Sequence, residues 1–244
     1  VAPPRAAAAL GSADAMSQDE SGRVRQRYAR RDAALDARRY ALTDAYALAA
    51  WQERQRAMVH LLAGRRLANL SVLEVGCGSG GNLQDLIRLG ATPGLLQGLE
   101  LQAGRAAQAR AVLPAACHIH TADALQTDLP EASQDLVLLF TVFSSLLSDA
   151  AQQALAARAW HWLRPGGAVL WHDFTVGNPH NPDVRGVPLA RVRALFPQGR
   201  IQVCRVTLAP PVGRMLCRAH PGLYAWANAL PWLRTHVLCL IEKP

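Results

Sequence analysis

Apolar and polar positions alternate along this chain between two rhythms. Val72–Val75 is a short apolar run carrying one acid, Glu74, and the amphipathic run Leu83–Leu89 follows it. Leu95–Leu99 is a second short run, ending at Glu100, with a helical pattern from Gln102 to Val112 behind it. His118–Thr121 reads as a third strand. Asp135–Phe140 is continuously apolar after its first residue, as expected for a parallel strand buried on both faces. Ser148 or Asp149 caps a helix running to Leu163, the turn Arg164–Gly167 stops it, and Ala168–His172 forms a fifth strand. Pro188–Phe196 reads as a helix, and Ile201–Leu208 and His236–Glu242 as two last strands. Strands that alternate with helices in this way predict an α/β fold with a parallel, doubly wound sheet.

The flanks divide as follows. Residues 1–20 form a leader whose Val1–Ala15 stretch is Ala/Pro-rich and expected to be disordered; Met16 is an alternative start, and Ala6–Leu10 is too short for a secretory core. Residues 21–70 read as helical, with arginines crowding the first part and Tyr28, Tyr40, Tyr46 and Trp51 interleaved. That segment is either a solvated basic helix docking its aromatics or a lid whose Arg27 and Tyr28 grip a carboxylate. Residues 71–244 form one domain, with an apolar insertion at 210–234 that contains Trp226 and Trp232. The insertion is extra core, a homodimer patch, or one wall of an apolar pocket.

The chemistry is concentrated in the turn between the first strand and its helix. Glycines stand at Gly76, Gly78, Gly80 and Gly81, and Asn82 opens the helix. Such a turn lets backbone approach a ligand closely, with bare helix-start N–H groups facing it. Gly76-x-Gly78-x-x-Gly81 satisfies the dinucleotide spacing, which leaves an NAD(P)-dependent oxidoreductase as one alternative. Glu74-x-Gly76-x-Gly78-x-Gly80, however, resembles the first motif of class I S-adenosylmethionine (SAM)-dependent methyltransferases. An acid there would oppose a pyrophosphate but suits the ammonium and sulfonium of SAM. The turn Leu163–Leu170 resembles that family's entry into strand five.

The resemblance, strong over Leu70–Leu170, implies a Rossmann-like sheet of seven strands with SAM as cofactor. It implies that Glu74, Gly76, Cys77, Gly78, Gly80 and Asn82 cradle SAM, and that Glu100, followed by Leu101, accepts the ribose hydroxyls. Asp123 and Ala124 would face the adenine, and Phe140 and Thr141 the methionine part, with Tyr28 closing from the lid.

Composition narrows this picture. The formal charge is +8, but nearly every basic residue is Arg and Lys243 is the sole lysine, a compositional habit that gives no support to a nucleic-acid surface. No apolar stretch reaches the length of a membrane span. The five cysteines are scattered without a CxxC pair, so neither a metal site nor a disulfide framework is expected, and a cytoplasmic, reducing location fits.

On the acceptor side, residues 172–186 follow strand five. The segment is polar and Pro-punctuated, and it resembles a stretch found in bacterial proteins associated with polysaccharide and natural-product clusters. His172 is the first candidate base, Asp173 could orient it or act itself, and His180 is a second candidate. Phe140–Phe143 lacks the Asn/Asp-Pro-Pro-aromatic motif of amino-methylating nucleic-acid enzymes, and Ser144 and Ser145 stand where arginine methyltransferases carry glutamates. The expectation is therefore methyl transfer to a small-molecule hydroxyl. An RNA methyltransferase and a non-catalytic SAM-binding partner are the remaining alternatives.

Overall fold

Seven apolar runs pair into one sheet in the order β3-β2-β1-β4-β5-β7-β6. The computed structural model describes residues 20–30, 41–177 and 181–244. Helix α1 (residues 20–30) and α2 (Ala45–Leu61) precede β1 (Val72–Val75). The βα units continue with α3 (Gly81–Arg88), β2 (Leu96–Glu100), α4 (Ala103–Val112), β3 (His118–Thr121), β4 (Gln134–Phe140), α5 (Asp149–Trp162) and β5 (Leu163–Phe174). The chain closes with α6 (Leu189–Leu195), β6 (Arg200–Leu208), α7 (Pro210–Ala219), α8 (Gly222–Asn228) and β7 (Arg234–Glu242). Strands β1 to β5 run parallel to their neighbours; β7 is antiparallel to both β5 and β6. The seven-stranded doubly wound sheet expected from the sequence is therefore present.

The central strands are apolar on both faces because both faces are covered. Leu73, Val75, Val137, Leu139, Val169 and Trp171 share one core with residues of α5 and α6. Val72, Leu136, Leu138, Ala168 and Leu170 share the other with residues of α2, α3 and α4. Each leucine fully withdrawn from water in these layers contributes about 2 kcal/mol. A third, smaller core joins Tyr46 of α2 and Leu208 of β6 to Cys217, Tyr224 and Ala227 of α7 and α8.

Strand β5 begins earlier than the sequence suggests. Gln134 pairs with Leu163 and Leu136 with Ala168, so Arg164–Gly167 bulges out within one continuous strand. Gly166 takes a positive φ of 77° there. Lys243 Nζ donates to Trp160 O and Leu163 O, both at 2.8 Å, which satisfies carbonyls freed where α5 ends. At its start, Ser148 Oγ accepts from Ala151 N, so Ser148 rather than Asp149 is the cap.

Of the described part of the segment expected to form a lid, α1 lines the cleft. Helix α2 is docked on the domain instead: Met58 and Leu61 lie in the core, and Trp51 and Gln55 both donate to Asp85 of α3. His180, Tyr40 and the leader lie outside the described residues.

Candidate active site

The turn after β1 is held from behind by β2. Gly76 N and Cys77 N donate to Leu99 O at 2.8 and 3.1 Å, and Gly78 N donates to Glu100 Oε2 at 2.8 Å. Gly78 and Gly80 have φ of 55° and 87°, which L side chains rarely adopt. Their neighbourhoods differ. A Cβ on Gly80 would meet Leu113 Cδ1 at 2.8 Å, so this glycine lets α4 pack against the start of α3. A Cβ on Gly78 would meet no atom within 4 Å, because that side opens into a cleft.

The cleft has a volume of about 330 Å³ and lies across the tips of β1, β2 and β4. Tyr28, Gly76, Cys77, Gly78, Asn82, Glu100, Leu101, Asp123, Ala124, Phe140 and Thr141 all line it. Glu74 and Gly80, expected to touch the ligand, do not line it. Both stand behind the wall: Glu74 is fully buried in the sheet, and Gly80 packs against Leu113 and Ala109.

Glu74 is fully buried and acts through Asn82, whose Nδ2 donates to Glu74 Oε1 at 2.6 Å. Its other oxygen has no partner among the described residues. Burial raises its pKa to about 8 against the opposing pull of the Asn82 hydrogen bond and of Arg54. Glu100 accepts from Gly78 N and Gln102 N, one bond to each oxygen, both at 2.8 Å. A carboxylate oxygen accepts twice, so each keeps a site for a ligand hydroxyl. Asp123 Oδ1 accepts from Leu125 N at 2.9 Å, a local turn that aims the carboxyl at the cleft. Thr141 sits at φ 55° with its N–H given to His172 O at 2.7 Å. A β-branched residue held there costs about 1–3 kcal/mol, and such strain gathers at working sites. Together these groups fit a nucleoside carrying a cationic tail: paired acceptors for hydroxyls, bare backbone beneath, and an orphaned acid oxygen beside the turn.

Helix α1 forms one wall, through Ser21, Val24 and Tyr28. Tyr28 OH lies 3.0 Å from Ser145 Oγ, and the Arg105 guanidinium stacks 4.7 Å from the Tyr28 ring. Arg27 does not face the cleft. It donates to Glu20 Oε1 and to Ser145 O, at 2.6 and 2.9 Å, and so fastens α1 to the loop after β4. Ser145 lines the cleft, and so does Arg105, which escaped the sequence reading. Arg105 had one available signal, a cation in the first turn after the Glu100 strand tip.

The two candidate catalytic residues within the described region point opposite ways, because neighbours on a strand alternate faces. His172 is 5 % exposed, and its ring lies 5.4 Å from Phe140 and stacks on His236 at 5.4 Å. Neither ring nitrogen has a partner among the described residues. Burial, then Arg54 and His236, hold its pKa well below the ordinary value, so the ring is neutral at physiological pH. Asp173 lies on the other face and cannot orient that ring: its carboxyl accepts from Ser144 N and Phe174 N, both at 2.9 Å. Burial raises its pKa to about 7. Asp173 therefore positions the loop after β4, and His172 stands one side chain behind the cleft wall. Arg54 of α2, also missed in the sequence, packs its guanidinium 5.9 Å from the Phe140 ring on the His172 side.

Residues 72–167, from β1 to the β5 bulge, match a family described as methyltransferase domain. No curated protein matches the chain. A SAM-dependent methyltransferase from Archaeoglobus fulgidus superposes with a TM-score of 0.58 at 13 % identity, over 78 % of this chain and 91 % of its own. One from Mesorhizobium loti gives 0.57 at 19 %, over 82 % and 98 %. A fragment described as StiE O-MT gives 0.53 at 20 %, over 81 % and 75 %. At these identities the three likenesses establish the fold.

Proposed function

Taking residues 72–167 as a class I SAM-dependent methyltransferase domain with S-adenosylmethionine as its cofactor, we propose that the chain methylates a hydroxyl of a small molecule, such as a sugar or another natural-product metabolite. The cofactor supplies an electrophilic methyl group when bound. The protein's part is to hold donor and acceptor in line and to remove the hydroxyl proton. Glu100 and Asp123 hold the nucleoside end, and Asn82, braced by Glu74, holds the turn beneath it. Helix α1 acts as the lid, with Tyr28 as its contact and Arg27 as its fastening.

The observation that carries the hydroxyl reading is the state of His172. Its ring is neutral, its nitrogens are unpartnered among the described residues, and it stands beside Phe140 of the cleft wall. His172 stands behind Phe140, and burial with Arg54 disfavours its imidazolium, so in this reading Phe140 swings aside to open the ring to the acceptor hydroxyl before the proton passes to it. Asp173 assists by fixing Ser144 and, through that loop, the ceiling of the site. The O-MT fragment among the structural neighbours is in keeping with an oxygen acceptor.

The test is transfer of a labelled methyl group from SAM to a panel of hydroxylated sugars and phenols, with His172→Gln as the variant. Turnover should fall by about 100-fold while SAM affinity by calorimetry stays within about twofold. Unchanged turnover would remove His172 from the chemistry, and methylation of amines alone would replace the acceptor class.

A further inference from the structure

The net charge of this protein is concentrated in one stretch. Residues 184–241 hold eight of the 26 basic residues and none of the 18 acids, so the rest of the chain carries 18 of each and balances. The same stretch contains the insertion. Among the described residues, five of the nine large exposed apolar side chains lie between Pro210 and Leu233: Met215, Leu223, Trp226, Leu230 and Trp232. Met215 is 63 % exposed, Trp226 76 % and Trp232 74 %, so they stand clear of the surface instead of lining a groove.

The insertion has a definite inside. In α7, Gly213 and Cys217 are buried; in α8, Tyr224 and Ala227 are. Glu53 of α2 accepts from Thr207 N, Tyr224 OH and Asn228 Nδ2, each at 2.8 Å, and ties that inner side down. The outward apolar side is therefore presented by a fixed support. Arg218 is exposed on α7, three residues on from Met215 and so on the same side of the helix.

We propose that this face docks on an anionic lipid surface. Tryptophan and methionine side chains enter the headgroup layer, and the exposed Arg218 meets lipid phosphates, whereas Arg185 and Arg191 of the same stretch are engaged by Asp149. Helices α7 and α8 hold Arg214 and Arg218 and no acid, so a two-fold contact between these helices would bring like charges together. Protruding indoles with no groove between them suit a soft interface better than a shaped protein partner. Strand β6 runs parallel to β1 and β4, so Leu208 and the insertion after it lie at the same sheet edge as the cleft. Docking thus brings the site's edge toward the lipid. The docking itself does not depend on the methyl-transfer reading.

The experiment is co-sedimentation of the full chain with phosphatidylcholine vesicles and with vesicles containing phosphatidylglycerol, at low and high salt. The protein should partition onto the anionic vesicles, less so at high salt. Trp226→Ser/Trp232→Ser should lower partitioning by about tenfold or more, and Arg218→Ser by about threefold. Both tryptophans are exposed, so the double variant should keep its thermal midpoint and its SAM affinity, which separates lost docking from lost fold. Equal binding to neutral vesicles, no binding to either, or unchanged binding by the double variant overturns the proposal. So does a wild-type dimer in light scattering that the double variant splits while vesicles stay unbound, or capture by polyglutamate but not by vesicles.

Discussion

The two halves of the sheet carry opposite electrostatic character. Residues 72–167, which build the cleft, contain eight acids and five arginines; residues 184–241 contain eight arginines and no acid. On the first half, Glu100 and Asp123 line the cleft, with Glu74 buried behind the turn. On the second, cations and indoles face outward. The family match covers the first half and stops at the β5 bulge. The contrast teaches that the cofactor side is specified by short local motifs, whereas what distinguishes this chain lies in the half that no motif describes.

The strongest way to break that contrast is at the seam. Having no acid of its own, the insertion borrows one from α2: Glu53 accepts from Thr207 N, Tyr224 OH and Asn228 Nδ2, with Arg234 Nε 4.0 Å away. Glu53→Ala leaves those donors without an acceptor in a buried setting. Stability should fall by about 3–5 kcal/mol in chemical denaturation. Amide exchange should accelerate over α7 and α8 first, with SAM affinity retained. A parallel loss of SAM affinity would show that the two halves form one functional unit.

The next largest effect belongs to the cofactor half. Glu100→Ala removes the acceptor of Gly78 N and Gln102 N and, in the proposed cofactor complex, of the ribose hydroxyls. SAM affinity should drop by about 100-fold in calorimetry, while vesicle partitioning is untouched. If both fell, the division into cofactor and docking halves would be wrong.

The same contrast governs what could be read from the chain. Strands β1 and β4 stood out because burial on both faces writes a largely apolar run, and the ends of β1 to β4 all matched the expectation to within a residue. The bulge in β5 did not, because Pro and Gly stop a helix and permit a bulge with the same composition. His172 and Asp173 seemed a pair because they are adjacent. The pleat sends them to opposite faces, which the period of two already implies. Arg27 looked like a ligand contact, yet its Nη2 donates to Glu20 and Ser145 and fastens α1 to the loop after β4. The contacts that settle Arg27, Arg54 and Arg105 lie far away in sequence, at Ser145, Phe140 and Tyr28, where no local pattern records them.

The finest test lies within the cofactor half, at Glu74. In the folded protein its pKa is about 8 against an ordinary 4.5, because ionising it means charging a fully buried carboxyl. Between those two values the folded state holds a proton that the unfolded chain has released. That occupancy makes the contribution of Glu74 to stability complete below about pH 4.5 and progressively lost as pH rises to about 8. Glu74→Gln has no proton to lose and keeps an oxygen for Asn82 Nδ2. The thermal midpoint of the variant should therefore match wild type at acid pH and exceed it increasingly toward pH 8, by about 10 °C, with no further divergence above. Adding SAM should shrink that difference, since a cation beside the turn makes the ionised acid tolerable. A difference independent of pH would mean that Glu74 is ionised throughout and already paired, leaving the acid in the turn no part in recognising a cationic ligand.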